Sequence, residues 1–211
     1  MNALYLNTIG IANTASGYNA LYSNTTGYSN TASGHNALYS NTGNNNTASG
    51  QGAGSSITTG SNNIAIGYNA QVANAADDNQ IRIGDASITY AGVQVAWSIT
   101  SDKRWKSDIQ PSNLGLDFIS KLKPVSYTRN NDARKKREYG FIAQDLEETL
   151  NASGAADNGI ISKDDAGMYG VRYNDLMSPM VKAMQEQQQM IEVLQKQNER
   201  MQQQIDELKK K

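Results

Sequence analysis

The chain of 211 residues contains no cysteine. Disulfide frameworks, thiolate zinc sites and cysteine nucleophiles are therefore excluded. Its single histidine, His35, removes most histidine-based triads and metal centres, and no metal or other cofactor is expected. No apolar run approaches the roughly 20 residues that cross a bilayer, so membrane insertion is not expected. The N-terminus lacks the charged segment followed by an apolar one that marks a secretory signal. Charge is the most uneven absence. Residues 1–76 hold no Asp, Glu, Lys or Arg, and up to Thr100 only Asp77, Asp78, Arg82 and Asp85 are charged. The other 18 basic and 17 acidic residues lie at or after Ser101. A net charge of -1 fits neither a nucleic-acid binder nor a membrane-surface protein. The end, Lys209 to Lys211, is too short to argue for either. Glycoside hydrolysis normally takes two placed carboxylates, and residues 1–76 offer none.

What the first half does have is a repeat. Asn-Ala-Leu-Tyr begins at Asn2, Asn19 and Asn36, a period of 17. Asn-Thr-Ala-Ser-Gly begins at Asn13, Asn30 and Asn46, with one residue lost before the third copy. The register continues as Asn63-Ile64-Ala65-Ile66-Gly67 and ends at Asn79-Gln80-Ile81-Arg82-Ile83-Gly84. Fixed periodicity of this kind means stacked units, each unable to bury its apolar face alone. A 17-residue unit suits two short strands and two turns. Asn24 to Gly27 and Asn41 to Gly43 supply turn chemistry, and an Ala in each copy fits a narrow interior. The expectation is a β-roll or β-solenoid with Asn, Ser and Thr outside. Its core is thin, so association of several chains would supply the missing buried area. Disorder is the competing reading of so polar a sequence, and the strict register argues against it. His35 takes the slot of Tyr18 in the preceding copy and reads as a packing or surface residue. Three glycan-acceptor patterns, at Asn24, Asn45 and Asn151, read as chance without a secretory signal. The repeats, over about residues 2–84, resemble the head repeats of trimeric autotransporter adhesins, and similar repeats recur in phage tail fibres.

Between Ala86 and Thr100 the residues Ile88, Tyr90, Val93, Val95, Trp97 and Ile99 alternate loosely and read as strand. Then comes Ser101-Asp102-Lys103-Arg104-Trp105-Lys106-Ser107-Asp108-Ile109, where a hydroxyl precedes a lysine by five positions. A serine hydroxyl needs a base to act as nucleophile. A lysine can be that base only when neutral, a state favoured by desolvation or nearby positive charge. Lys103 and Arg104 are nearby cations, and Trp105 could exclude water. The spacing brings the two side chains together only if the backbone turns between them. By itself the pattern also fits a solvated polar cluster.

Further blocks follow in order: Leu122-Lys123-Pro124-Val125-Ser126-Tyr127, Gly140-Phe141-Ile142-Ala143-Gln144-Asp145, and Val171-Arg172-Tyr173 before a long helix. Together with the serine–lysine run they resemble the C-terminal intramolecular chaperone domain of phage tail fibres and tailspikes, the self-cleaving endosialidase type. A related domain occurs in the eukaryotic myelin regulatory factor. The resemblance implies a domain that trimerises, helps the fibre ahead of it fold as a trimer, and then cuts itself off once, in cis. It implies Thr100–Ser101 as the scissile bond, Ser101 as nucleophile, Lys106 as base, and supporting roles for Asp102 and Arg104. Trp105 departs from the family, which usually has a smaller aliphatic residue there, and Asp108 stands where asparagine is common. Burial of Lys106 by neighbouring subunits would free its amine of a proton only after assembly, so that cleavage would report a completed trimer.

Gly140 to Leu150 reads as a strand passing into a helix from Ala143, and Arg134 to Arg137 as a solvated hairpin tip, since no aromatic residues are interleaved. Ser178-Pro179 reads as a helix start, with Ser as cap and Pro in the first turn. Two heptad rows follow, Met184, Ile191, Asn198, Ile205 and Met180, Gln187, Leu194, Met201, Leu208, a coiled coil of about four heptads. Ile in one row, Leu in the other and a seam Asn usually favour two strands; the trimer expectation comes from the resemblance and the roll.

The expected architecture is mainly β, then α+β. Residues 1–85 form a trimeric roll segment, 86–100 a connecting strand up to the cleavage site, 101–177 the chaperone, and 178–211 the coiled-coil helix. The expected protein is a phage tail fibre segment, assembled in the host cytoplasm and carried in the virion, which lysis releases. Its partners would be two further copies, an upstream fibre portion implied by Met1 falling mid-repeat, and a host-surface glycan or protein. A non-cleaving trimeric structural adhesin is the alternative. A membrane-anchored regulator released by proteolysis fits less well, because the chain shows neither a basic DNA-binding domain nor a spanning segment.

Overall fold

The computed structural model describes residues 2–210. Five three-residue strands follow the repeat: β1 (Thr14–Ser16), β2 (Thr31–Ser33), β3 (Thr47–Ser49), β4 (Ile64–Ile66) and β5 (Ile81–Ile83). They form one parallel sheet in sequence order, with Thr14, Thr31, Thr47, Ile64 and Ile81 in register. The fold is thus a β-solenoid, as the periodicity implies. Each coil, however, has one strand where two were expected. The Asn-Ala-Leu-Tyr stretches form successive turns instead, because Asn19, Leu21, Asn36 and Leu38 are left-handed, with φ between 50° and 58°. Left-handed leucine is strained. It is held by full burial and by coil-to-coil bonds such as Leu21 N–H to Ala37 O at 3.0 Å and Leu38 N–H to Ala53 O at 3.0 Å.

The interior is a set of small columns: Ala32, Ala48 and Ala65 under the strands, Ala20, Ala37, Ala53 and Ala70 under the turns, with Leu21, Leu38 and Ile57 filling the rest. The glycines Gly17, Gly34, Gly50 and Gly67 lie where coils touch backbone to backbone. A Cβ on Gly34, at φ +135°, would fall 2.5 Å from Gly50 O. Thr and Ser of the strands face outward, but one set of asparagines does not, although Asn45, Asn62, Asn69 and Asn79 are exposed. Asn24, Asn30, Asn41, Asn46 and Asn63 are fully buried, which corrects the expectation of an Asn-coated exterior. Each is admitted because its amide matches the next coil. Asn46 Oδ1 accepts from Asn63 N–H at 2.8 Å, and Asn46 Nδ2 donates to Gly60 O at 2.7 Å and to Asn41 Oδ1 at 2.7 Å. Buried amides satisfied in this way cost little. Outside, Tyr5, Tyr22 and Tyr39 stack at 5.2 and 5.1 Å, and His35 stacks on Tyr18 at 5.5 Å, consistent with a packing role for the histidine. At β5 the inward Ala of earlier strands becomes Arg82, whose Nε donates to Gly84 O at 2.8 Å. Arg82 is exposed, and a charge at the register position of the interior alanines offers a further coil no apolar column to stack on.

Residues 86–100 form no strand, contrary to the alternation. Alternation makes a strand only where a neighbour supplies ladder bonds, and none does so among the described residues. Val93, Val95, Trp97 and Ile99 are 58–80% exposed.

The α+β region contains α1 (Leu116–Lys121), β6 (Val125–Thr128) paired with β7 (Arg137–Gly140), α2 (Ala143–Ala152), and β8 (Ile161–Lys163) paired with β9 (Tyr169–Val171). Helix α3 runs from Met177 to Leu208. By contacts the chain forms two units. One comprises 1–94 with the loops 128–136 and 163–168, and the other the remaining residues. Phe118, Leu114, Leu146, Leu150, Ile160 and Leu176 form the core of the second unit. The strand-to-helix passage at Gly140–Ala143 is as expected, and Arg134, Lys135 and Lys136 lie on the turn between β6 and β7, with Arg137 opening β7. The start of α3 is not. Ser178 does not cap it; a 3-10 turn over Tyr173–Leu176 winds straight into Met177. Pro179 is tolerated because its position falls among the first N–H groups, which lack an intrahelical partner. From Gln187 onward every described residue of α3 is exposed.

Candidate active site

Ser101 opens the charged half, and its neighbours fold back on it. Asp102 is the N-cap of a 3-10 turn over Lys103–Trp105. Trp105 N–H bonds Asp102 O at 3.0 Å and Lys106 N–H bonds Lys103 O at 3.1 Å. The turn supplies the reversal that a five-residue spacing requires. Lys106 Nζ donates to Ser101 Oγ at 2.7 Å. The sequence therefore paired two groups that the fold brings together. A separation of this size lies within hydrogen-bond reach, the first geometric requirement of a nucleophile and a base.

Asp102 and Arg104 sit beside this contact. Asp102 Oδ1 accepts from Arg104 N–H at 2.8 Å and from Arg104 Nε at 3.0 Å, and Oδ2 accepts from Nη2 at 2.8 Å. The Arg104 side chain, then its backbone N–H, holds the Asp102 carboxyl below the ordinary aspartate value of 3.8. The bonding between Asp102 and Arg104 was not legible from spacing. The available signal was an Asp in N-cap position. Asp108, where the resemblance leads one to expect asparagine, has φ 48°, a left-handed conformation that Asn favours and Asp accepts.

Ser101, Asp102, Arg104 and Lys106 are all exposed in the single chain, and so is Trp105, at 81%. Trp105 excludes no water here. Among the described residues no cluster of three potential metal ligands occurs, and no helix is long and apolar enough to cross a membrane.

A second polar feature fixes the chaperone-like region. The N-terminus of α1 has Gly115 as cap and no side-chain bond of its own. Glu186 of α3 supplies it, accepting from Leu116 N–H at 2.6 Å while pairing with Lys182 at 3.2 Å. The Leu116 bond, then Lys182, holds the Glu186 carboxyl below its ordinary 4.5. Tyr173, just ahead of α3, accepts from Phe141 N–H at 3.1 Å through its hydroxyl. Sequence pattern did not mark Glu186, and it marked Tyr173 only as part of the Val171–Tyr173 block, because both bonds span long separations.

Residues 101–155 match the family described as chaperone of endosialidase. The match begins at Ser101 and covers the serine–lysine turn, α1, β6, β7 and α2. It supports a tail-fibre-associated chaperone role for this region, and self-cleaving peptidase activity is implied for the family in general. No curated protein and no solved structure matches the chain. The repeat half is consistent with the adhesin-head resemblance through its solenoid.

Proposed function

We propose that the protein is a phage tail fibre segment, in which a β-solenoid is followed by a trimerisation chaperone that releases itself at Thr100–Ser101. The observation that carries this reading is the coincidence of the chaperone match with Ser101, the residue held 2.7 Å from Lys106 Nζ. Ser101 Oγ attacks the Thr100 carbonyl carbon as its proton passes to neutral Lys106. The tetrahedral centre then collapses with loss of the Thr100–Ser101 C–N bond. Lys106 returns the proton to the departing Ser101 amine. The resulting ester between Thr100 and Ser101 Oγ is opened by water, giving a carboxyl at Thr100 and the restored hydroxyl. No cofactor takes part.

Exposure of Lys106 in the single chain favours an assembly-dependent gate. Two further copies would cover the site, strip water from the amine and switch on the base. Domain limits follow the chemistry: 1–100 stays with the fibre, with a host-surface glycan or protein as its target, and 101–211 is the released chaperone, ending in a coiled coil from 178. The same exposure is what a non-cleaving trimeric adhesin would have, and it sustains that alternative. Purified parent and Ser101→Ala separate the two. The parent should yield two fragments and the variant a single species near 22.9 kDa; an intact parent after prolonged incubation would favour the adhesin.

A further inference from the structure

We infer that Asp102 is the positioning residue of this cleavage: its carboxylate holds the turn that carries Lys106 back onto Ser101. The inference rests on the assignment of Ser101 and Lys106 made above. Five residues in extended conformation would put the two Cα atoms roughly 16 Å apart; contact needs a reversal. That reversal is one 3-10 turn with two backbone bonds. Short helical turns are unstable in water without outside support. No residue of this turn is buried, so packing within the chain does not provide support. Among the described residues, the side-chain bonds to the turn all come from Asp102. One oxygen caps the Arg104 N–H, and both oxygens clamp the Arg104 guanidinium. A bidentate charge-assisted pair of this kind fixes orientation as well as energy.

Among the described residues, Asp102 bonds Arg104 while Ser101 Oγ accepts from Lys106 Nζ, so Asp102 acts through geometry. A displacement of about 1 Å at a reacting pair can cost 10²-fold in rate, so loosening this turn is felt at the bond while the rest of the chain stays as it is.

The test is the autocleavage rate of the full chain as parent, Asp102→Ala, Asp102→Asn and Ser101→Ala, each read by fragment mass over time and across pH, with thermal melting as a control. Asp102→Ala should slow cleavage at least about tenfold with unchanged melting. Asp102→Asn keeps a cap acceptor for the Arg104 N–H but loses the charged two-oxygen clamp on the guanidinium, and should cleave at a rate between those of the parent and Asp102→Ala. The pH–rate profile of Asp102→Ala should fall by one factor throughout, keeping its midpoint. A parent-like rate in Asp102→Ala, or a shifted midpoint showing that Asp102 acts directly on the charge of Lys106, would overturn the inference. Cleavage that persists in Ser101→Ala would instead remove the dyad itself, a separate outcome.

Discussion

At the scale of single residues, the molecule depends on polar groups placed where only one partner fits. Asn46 donates from its amide to two oxygens and accepts from one N–H. Asn46→Ala strands those groups in a dry interior, and should cost about 2–4 kcal/mol from unpaired buried donors and acceptors. Asn46→Asp should be worse at neutral pH, since it turns a carboxylate oxygen toward Gly60 O. Thr31→Ala, on the exposed side of β2, should stay within about 0.5 kcal/mol. Urea unfolding of the three variants checks the order. Glu186 makes a pH-dependent contribution. Its carboxyl is lowered in the folded chain, so the stability it lends is present above the ordinary 4.5 and is lost as pH falls below that value. Glu186→Gln should flatten the acid limb of the melting midpoint against pH and speed hydrogen exchange at the Leu116 amide. An unchanged acid limb would remove Glu186 as the cap of α1. The sequence announced the asparagines by their period, yet their direction could not be read. An Asn faces inward only if the next coil offers matching backbone, and that match is a property of the stack.

Elements differ in how much their own sequence specifies. The stacking of the coils was legible because each copy repeats Thr-Ala-Ser or its Ile-containing counterpart, so one register runs through all five strands, but the period alone did not say that each coil holds one strand rather than two. The turns between the strands were not legible, because left-handed Leu21 and Leu38 run against local preference and are held by neighbouring coils. The glycine column is the tightest constraint. Gly34→Ala sets a Cβ 2.5 Å from the Gly50 carbonyl at a positive φ and should destabilise the solenoid by more than about 1 kcal/mol. Denaturant midpoints compared with Gly154→Ala give the check. Gly154 also has positive φ but open space around it, so the excess at Gly34 measures the backbone clash. The serine–lysine turn lies between these cases. Spacing stated that a reversal was needed, and the Asp102 cap is the local feature that makes one. The start of α3 was misplaced because a 3-10 turn feeds it, and Ser178-Pro179 mimics a cap inside an existing helix.

Across the whole chain, the surface that is left bare defines what is missing. Tyr90, Val95, Trp97 and Trp105 are 76–84% exposed, and the rows Met184, Ile191, Leu194, Met201 and Ile205 on α3 are 45–67% exposed. Apolar surface of this extent is covered by association in stable proteins. Three copies would bring the α3 seams together, and sedimentation equilibrium of Ser101→Ala should give about three times 22.9 kDa. Replacing Ile191 and Leu194 by Asp should lower that mass and slow cleavage together, if assembly switches on the base. Cleavage that continues at the parent rate in chains reduced to monomers would dissociate the two events.

The account turns on chemistry at one bond, and intact-mass spectrometry with N-terminal sequencing of the purified parent, beside Lys106→Met, reads it directly. The account predicts a C-terminal fragment that begins Ser-Asp-Lys-Arg, complemented by residues 1–100, and an uncut Lys106→Met chain. A cut at any other bond, or equal cutting in the lysine variant, would contradict it.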